Sequence, residues 1–333
     1  MLFFLYTVSP GVHQRCLTPV VQIAPEVPDP GGAKCTRGAW PLWCRYRKET
    51  VMKNGLVMEG GALRGMFTAG ILDVLMENGI QFDGAIGVSA GATFGINIKS
   101  KQIGRTVRYN LRFARDPRYC SFASLFLTGD LYGAEFCYRS IPDRLDPFDA
   151  KTFEENPMKF YVVATDIECG KAVYYDCKRG VGKDIEWIRG SASMPLVSRP
   201  VHVGGRLLLD GGITDSIPLR YMQHKGYEKN VVILTRPANY VKKSGPLNPL
   251  LKNSLKDYPA ALKAMERRPE VYNKSVRYVR ECEMAGNTFV IAPSEKLPIS
   301  RITHNQQKIM DTWLIGREAA KEALPALKAF LGC

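Results

Sequence analysis

Histidine is scarce in this sequence, four in 333 residues, which leaves few candidates for a catalytic or metal-binding imidazole. The nine cysteines form no Cys-x-x-Cys pair and do not cluster with the histidines. That pattern argues against a zinc site and against a secreted disulfide framework; reduced thiols in a cytoplasm are the simple reading. No metal site is expected. No apolar run reaches the roughly 18 residues needed to cross a bilayer. Met1–Val8 is apolar but lacks a basic flank, a long hydrophobic segment and a small-residue cleavage site, so it does not read as a signal peptide. A formal charge of +14 is present without any nucleic-acid module signature, so no nucleic-acid partner is expected.

What is present is the composition of a globular protein, 45% apolar and 23% charged. The sharpest basic feature is Arg105, Arg108, Arg112 and Arg115, whose spacing lines one face of a helix. A stripe of this kind suits peripheral contact with an anionic membrane, but a solvated helix face is the favoured reading. Residues 1–51 stand apart: they hold six of the 21 prolines, two of the four tryptophans and three of the nine cysteines, with no sustained period. Met52 directly precedes the first convincing strand. Lys48-Glu49 can be encoded AAG-GAG, a ribosome-binding sequence, with Thr50-Val51 as spacer. The expectation is that residues 1–51 are a disordered or non-native leader and that translation starts at Met52. Without them, 40 basic and 29 acidic residues leave +11.

From Met52 onward strands and helices alternate. Strands are expected at Gly55–Met58, Ala85–Val88, Phe160–Thr165, Ala172–Tyr175, Arg206–Leu209, Val231–Thr235 and Thr288–Ile291. Helices are expected at Arg64–Glu77, Ala90–Lys99, 105–114, 185–193, 217–225, 251–267, 270–285 and 303–330. Such alternation implies an α/β domain with a largely parallel central sheet. The Pro- and Gly-bearing stretch 237–250 reads as a linker, dividing a catalytic domain at 52–236 from a mainly helical extension at 237–333 packed on it.

Three motifs carry chemistry. Gly87-Val88-Ser89-Ala90-Gly91 is a Gly-x-Ser-x-Gly pattern at a strand-to-helix junction, where the glycines permit a tight turn and expose the hydroxyl. Gly60-Gly61-Ala62-Leu63-Arg64-Gly65 lies at another such junction, and its backbone amides suit an anion. Its spacing is not that of a dinucleotide or P-loop turn, so an oxyanion hole fits better. Leu209-Asp210-Gly211-Gly212 ends an apolar strand with a carboxylate at the carboxyl edge of the sheet, where open α/β sheets place their sites.

The base for Ser89 is not settled by the histidines. His13 falls in the leader, His202 inside a strand and His224 near a helix end. His304 alone suits the Ser–Asp–His order, yet it lacks a glycine-rich loop setting, so a triad using it is the weaker alternative. A carboxylate drawn into an apolar pocket is the better one, because burial makes it a stronger proton acceptor. The apolar run 121–127 reads as core, with a lid or interfacial patch as its alternative.

Together these motifs, with the run Gly190-Ser191-Ala192-Ser193-Met194-Pro195-Leu196, resemble the patatin-like phospholipase family over Met52–Leu234. The C-terminal stretch, with Tyr258-Pro259, Arg267-Arg268, Tyr272-Asn273 and Phe289-Val290-Ile291, looks like the extension of a bacterial branch of that family. The resemblance implies a three-layer α/β/α fold, a Ser–Asp dyad and hydrolysis of phospholipid or other fatty-acyl esters through an acyl-enzyme, without a cofactor. Carried over by position, Ser89 is the nucleophile, Asp210 the proton acceptor, and Gly60, Gly61 and Ala62 the oxyanion hole. Arg64, Gly65, Gly87, Gly91, Gly211 and Gly212 support the motifs, Ala62 standing where glycine is frequent and Arg64 organising its loop. A lipid acyltransferase using the same dyad and a silent lipid-binding regulator are the alternatives.

Overall fold

The structure, a computed structural model, describes residues 52–332. The expectation of a leader at 1–51 therefore lies outside the described residues. Among those described, eight strands form one sheet: β1 Lys53–Met58, β2 Gly84–Val88, β3 Lys159–Asp166, β4 Lys171–Cys177, β5 Val201–Val203, β6 Arg206–Asp210, β7 Tyr227–Ile233 and β8 Thr288–Ile291. Strands β3, β2, β1, β7 and β8 run parallel in that spatial order. Their apolar runs are buried on both faces, as a parallel sheet requires. In β1, Leu56 and Met58 face one core while Val57 faces another.

Helices fill both layers. On the Leu56 side lie α1 Gly65–Glu77, α2 Ala90–Lys99 and α3 Arg105–Phe113, followed by the short α4 Phe122–Thr128 and α5 Ala150–Glu155. Helix α6, Lys183–Ala192, packs on β3, β5 and β6. The opposite core takes side chains from α7 Leu219–His224 and α9 Pro259–Met284, which follows α8 Pro249–Ser254. The last helix, α10 Gln306–Leu331, returns to the first layer and lies along α1. A Cβ on Gly70 would lie 2.1 Å from the Trp313 carbonyl, and one on Gly316 would lie 2.1 Å from that of Phe67. The two helices thus approach backbone to backbone because each presents a glycine. This is the three-layer α/β/α architecture expected, with its mainly parallel sheet and C-terminal helix.

Three local expectations fail, the second only in part. The helices expected at 251–267 and 270–285 are instead the short α8 and one continuous α9 that carries Pro269 inside it. Proline removes an N–H and crowds the preceding turn, which makes a break the natural expectation; packing of Ala261, Met265, Tyr272 and Val279 along one buried face carries the helix through. The arginine stripe is not wholly a solvated face: Arg108, Arg112 and Arg115 are exposed, but Arg105 is 5% exposed and pairs with Asp146, which also accepts two hydrogen bonds from Arg108 at 2.7 and 2.9 Å. Arg112 donates to the Leu145 carbonyl, so three of the four pin the segment before α5. Nor is the run 121–127 core: Phe122, Phe126 and Leu127 are 81%, 85% and 78% exposed, and Leu125 alone of its large residues packs inward.

The sheet has an unusual edge. Strand β3 pairs with β4 along one side. Its other side is shared: parallel β2 occupies it up to the pair Val88–Val163, and antiparallel β6 takes over at Ala164–Asp210. Strands β2 and β6 therefore run toward each other on one edge, and their carboxyl ends, at Val88 and Asp210, abut.

Candidate active site

That abutment positions the two residues of interest. Ser89 follows β2 directly and caps α2 with φ 55° and ψ −121°, a region costly for any residue with a Cβ. The tight turn needs its flanking glycines: a Cβ on Gly87 would fall 2.4 Å from the Gly91 carbonyl oxygen, and one on Gly91 2.4 Å from that of Met58. Asp210, 2% exposed, ends β6 facing it. Its Oδ1 accepts from Gly212 N at 2.7 Å, while Oδ2 is buried without a donor at bonding geometry. Burial pushes the Asp210 carboxyl above the ordinary carboxylate range, and the Ser89 hydroxyl, then Arg268, pull it partly back. The structure thus brings the serine hydroxyl and a buried, basicity-enhanced carboxylate together.

The glycine-rich turn closes over them. A Cβ on Gly60 would lie 2.9 Å from Ser89 Cβ, so the backbone of that turn passes directly beside the serine. Around it, Glu59 N donates to Ile233 O, Leu63 N to Arg301 O and Arg64 N to Gly61 O. The amides between, those of Gly60, Gly61 and Ala62, enter no hydrogen bond among the described residues. Free amides beside a nucleophile at the start of a helix form an anion-binding nest. Ala62 has φ 49°, the left-handed region, which explains why glycine would suit that position. Glu59 is buried, and its Oε2 accepts from Thr235 N at 2.6 Å, tying the turn to the end of β7. The Arg64 guanidinium, pushed down to about 10 chiefly by burial, keeps its Nε buried without a partner. Gly65 packs against Ala90 and Phe94 of α2, and Gly211 against the Val163 carbonyl.

Two serines of the run Gly190–Leu196, to which the sequence assigned no role, brace the pair. Ser191 Oγ accepts from Ser89 N at 2.9 Å, and the Ser193 carbonyl accepts from Asp210 N at 2.7 Å. One helix end therefore fixes both backbones, and the recurrence of small residues in Gly190–Ser193 is the sequence signal for it. Ser191→Ala strands the buried Ser89 N–H, an expected loss of about 1–3 kcal/mol, readable by urea unfolding. An unchanged midpoint would remove this bracing role.

Ser89, Asp210 and the turn share a cavity of about 460 Å³. One part is lined by Phe94, Ile96, Tyr109, Leu131, Ile141 and Ile188, an apolar sleeve. The other holds Arg64, Arg236, Lys242, Arg268 and Arg301. Sequence reasoning assigned no site role to the last four, because they come from strand ends and the C-terminal segment, far from the motifs in the chain. The linker-like stretch 237–250 is anchored where it contributes: Asn273 accepts from Lys242 N at 2.9 Å and donates to Lys242 O at 3.0 Å. Among the described residues no histidine lines the cavity; His304 Nδ1 instead lies 2.7 Å from the Ala114 carbonyl.

Comparison with known proteins fits this geometry. The chain matches the family model described as patatin-like phospholipase over residues 56–222, and a domain of unknown function over residues 258–332. It is 27% identical over 179 residues to an uncharacterized NTE family protein of Mycobacterium tuberculosis, covering 54% of this chain and 48% of that one. An uncharacterized protein of Escherichia coli K12 is 30% identical over 189 residues, covering 55% of this chain and 52% of the other. Lysophospholipase NTE1 of Debaryomyces hansenii is 29% identical over 177 residues, 52% of this chain and 11% of that one. The alignments thus span about half the length of the first of these relatives, and far less of the last. With its family model matched across half the chain, the protein belongs to the patatin-like phospholipase family.

Proposed function

We propose that the protein is a lipid acyl hydrolase of the lysophospholipase or esterase kind, acting through a Ser89–Asp210 dyad. The observation that carries this is the Ser89 hydroxyl set against a buried carboxylate, beneath three uncommitted amides, in a cavity lined by both an apolar sleeve and a cationic group. The Debaryomyces relative, named a lysophospholipase, agrees with it.

The chemistry follows from the placement. Asp210 takes the Ser89 proton as the hydroxyl oxygen attacks the ester carbonyl. The amides of Gly60, Gly61 and Ala62 receive the oxyanion, each donor being worth about 3 kcal/mol of barrier in comparable sites. Collapse expels the alcohol, which leaves with the proton from Asp210. Water, deprotonated by the same carboxylate, then attacks the acyl-enzyme; the Ser89 oxygen leaves and takes that proton from Asp210, and the fatty acid is freed. The apolar sleeve takes the acyl chain. A fluorophosphonate probe should label the native protein and leave Ser89→Ala unlabelled. No labelling of the native protein would leave a silent lipid-binding scaffold.

Access is from a lipid surface in this reading. Phe122 and Phe126 project from α4, whose capping Gly129 packs against Arg199, and the next residues, Asp130 and Leu131, line the cavity. Exposed aromatics beside a site for lipid esters suit insertion among acyl chains. No helix among the described residues is long and apolar enough to cross a membrane, so contact of this kind is peripheral. Replacing Phe122 and Phe126 with serine should lower turnover on anionic vesicles at least about tenfold more than turnover on a water-soluble ester. Equal losses on both would overturn the docking role.

A further inference from the structure

The polar half of the cavity is more cationic than ester hydrolysis needs. Seven cations and three carboxylates line the whole cavity; Arg105, Arg189 and Asp130 are ion-paired with Asp146, Glu186 and Arg199, which leaves five cations beside Glu59 and Asp210. Glu59 accepts from Thr235, and Asp210 accepts from Gly212 through one oxygen while its charge is felt by Arg268. None of the five cations forms an ion pair with a carboxylate among the described residues. Self-repulsion of this order is held in place by structure. Arg268 Nε donates to Gly212 O at 2.6 Å, the Arg301 carbonyl accepts from Leu63 N at 3.4 Å, and Asn273 clamps Lys242 from both sides.

Resting on the proposed hydrolase reading, we infer that Arg236, Lys242, Arg268 and Arg301, with Arg64 completing the ring, bind a phosphomonoester carried by the acyl-ester substrate. The extension after β7 is then a headgroup reader, and the preferred substrates are lipid esters ending in an uncapped phosphate.

Two further observations narrow the headgroup. A quaternary ammonium needs open aromatic faces or a free carboxylate. Here Arg236 lies 4.5 Å over the Tyr240 ring and Lys242 4.0 Å over the Tyr272 ring, so each ring already carries one of the protein's own cations. A choline cap would meet like charge and no box. A dianionic phosphate offers acceptor oxygens to several guanidinium forks at once. Burial and the neighbouring arginines also push Lys242 down to about 7, so an incoming dianion restores a proton to it.

The test compares three monomeric lysolipids with one acyl chain: a 1-acylglycerol 3-phosphate, its phosphocholine counterpart and the 1-acylglycerol. The expected result is a kcat/KM for the phosphate at least about tenfold above the other two, carried mainly by KM. Arg236→Gln and Lys242→Gln should each shrink that ratio at least about fivefold, and Lys242→Arg should keep most of it. A phosphate ester no better than the choline ester, or glutamine variants that lower all three substrates equally, would overturn the inference. Should the native protein hydrolyse none of them, the hydrolase reading fails separately. The site is then tested by titrating glycerol 3-phosphate into Ser89→Ala protein. Binding lost in the double variant with Lys242→Gln supports the site, and no binding refutes it. Inorganic phosphate competing fully while the three lipids go undistinguished marks a free-phosphate site and counts against the substrate assignment.

Discussion

Ser89→Ala is expected to lower ester turnover by on the order of a million-fold while leaving the fold intact. The size follows from what is removed: without the oxygen no acyl-enzyme forms, and only substrate binding and the three free amides remain to assist water. Stability should barely change, because the hydroxyl is not needed to hold the turn; Ser191 grips the backbone N–H instead. The strain at φ 55° and ψ −121° belongs to the Cβ, not to the oxygen. Ser89→Gly should therefore be equally inactive yet more stable than Ser89→Ala by about 1 kcal/mol, the relief of strain outweighing the entropy of a glycine. Steady-state assays on a soluble ester, paired with urea unfolding of all three proteins, check both statements. Turnover by Ser89→Ala within tenfold of the native protein would remove the nucleophile from the proposal.

Asp210→Asn should cost roughly a thousand- to ten-thousand-fold in kcat, since the amide keeps the shape but accepts no proton. Its stability behaves differently. Burial raises the Asp210 carboxyl, so the folded state binds its proton more tightly than the unfolded state does. Stability from this group is present at acid pH and is lost as pH rises through the window between the ordinary and the raised value. At neutral pH the carboxylate thus opposes folding, and Asp210→Asn should be at least as stable as the native protein there. Activity has the opposite dependence. The base must be ionised, so kcat/KM should fall on acidification, with its limb above the range of a solvent-exposed aspartate. A native profile with no acid limb down to the denaturation edge would separate Asp210 from proton transfer.

The fold was largely legible because its signals are local. Buried strands such as Leu56–Met58 read as continuous apolar runs, and glycine-marked turns stand at 60–61 and 87–91. The same locality made the serine and the glycine-rich turn readable. What escaped notice depends on distant packing. Pro269 reads as a break because sequence shows its missing N–H but not the buried face that carries α9 past it. Arg105 reads as a surface charge because its partner Asp146 is 41 residues away. The cations at 236, 242, 268 and 301 share no period or motif, and only folding collects them. The run at 121–127 misled in the other direction: its apolar side chains resemble core, yet α4 turns them outward.

The meeting of β2 and β6 on one edge of β3 has a consequence for how this protein tolerates change. Adjacent residues in a strand lie about 3.4 Å apart and point to opposite faces. One residue added to or deleted from β6 would withdraw the carboxylate by that distance and aim its neighbour, Leu209 or Gly211, at the serine. The hairpin that joins β5 to β6 through Gly204 and Gly205 thereby acts as a ruler: its length sets how far the acid extends toward its target. Lengthening the loops elsewhere should be survivable, whereas this short turn is where a single codon separates a working protein from a well-folded inert one.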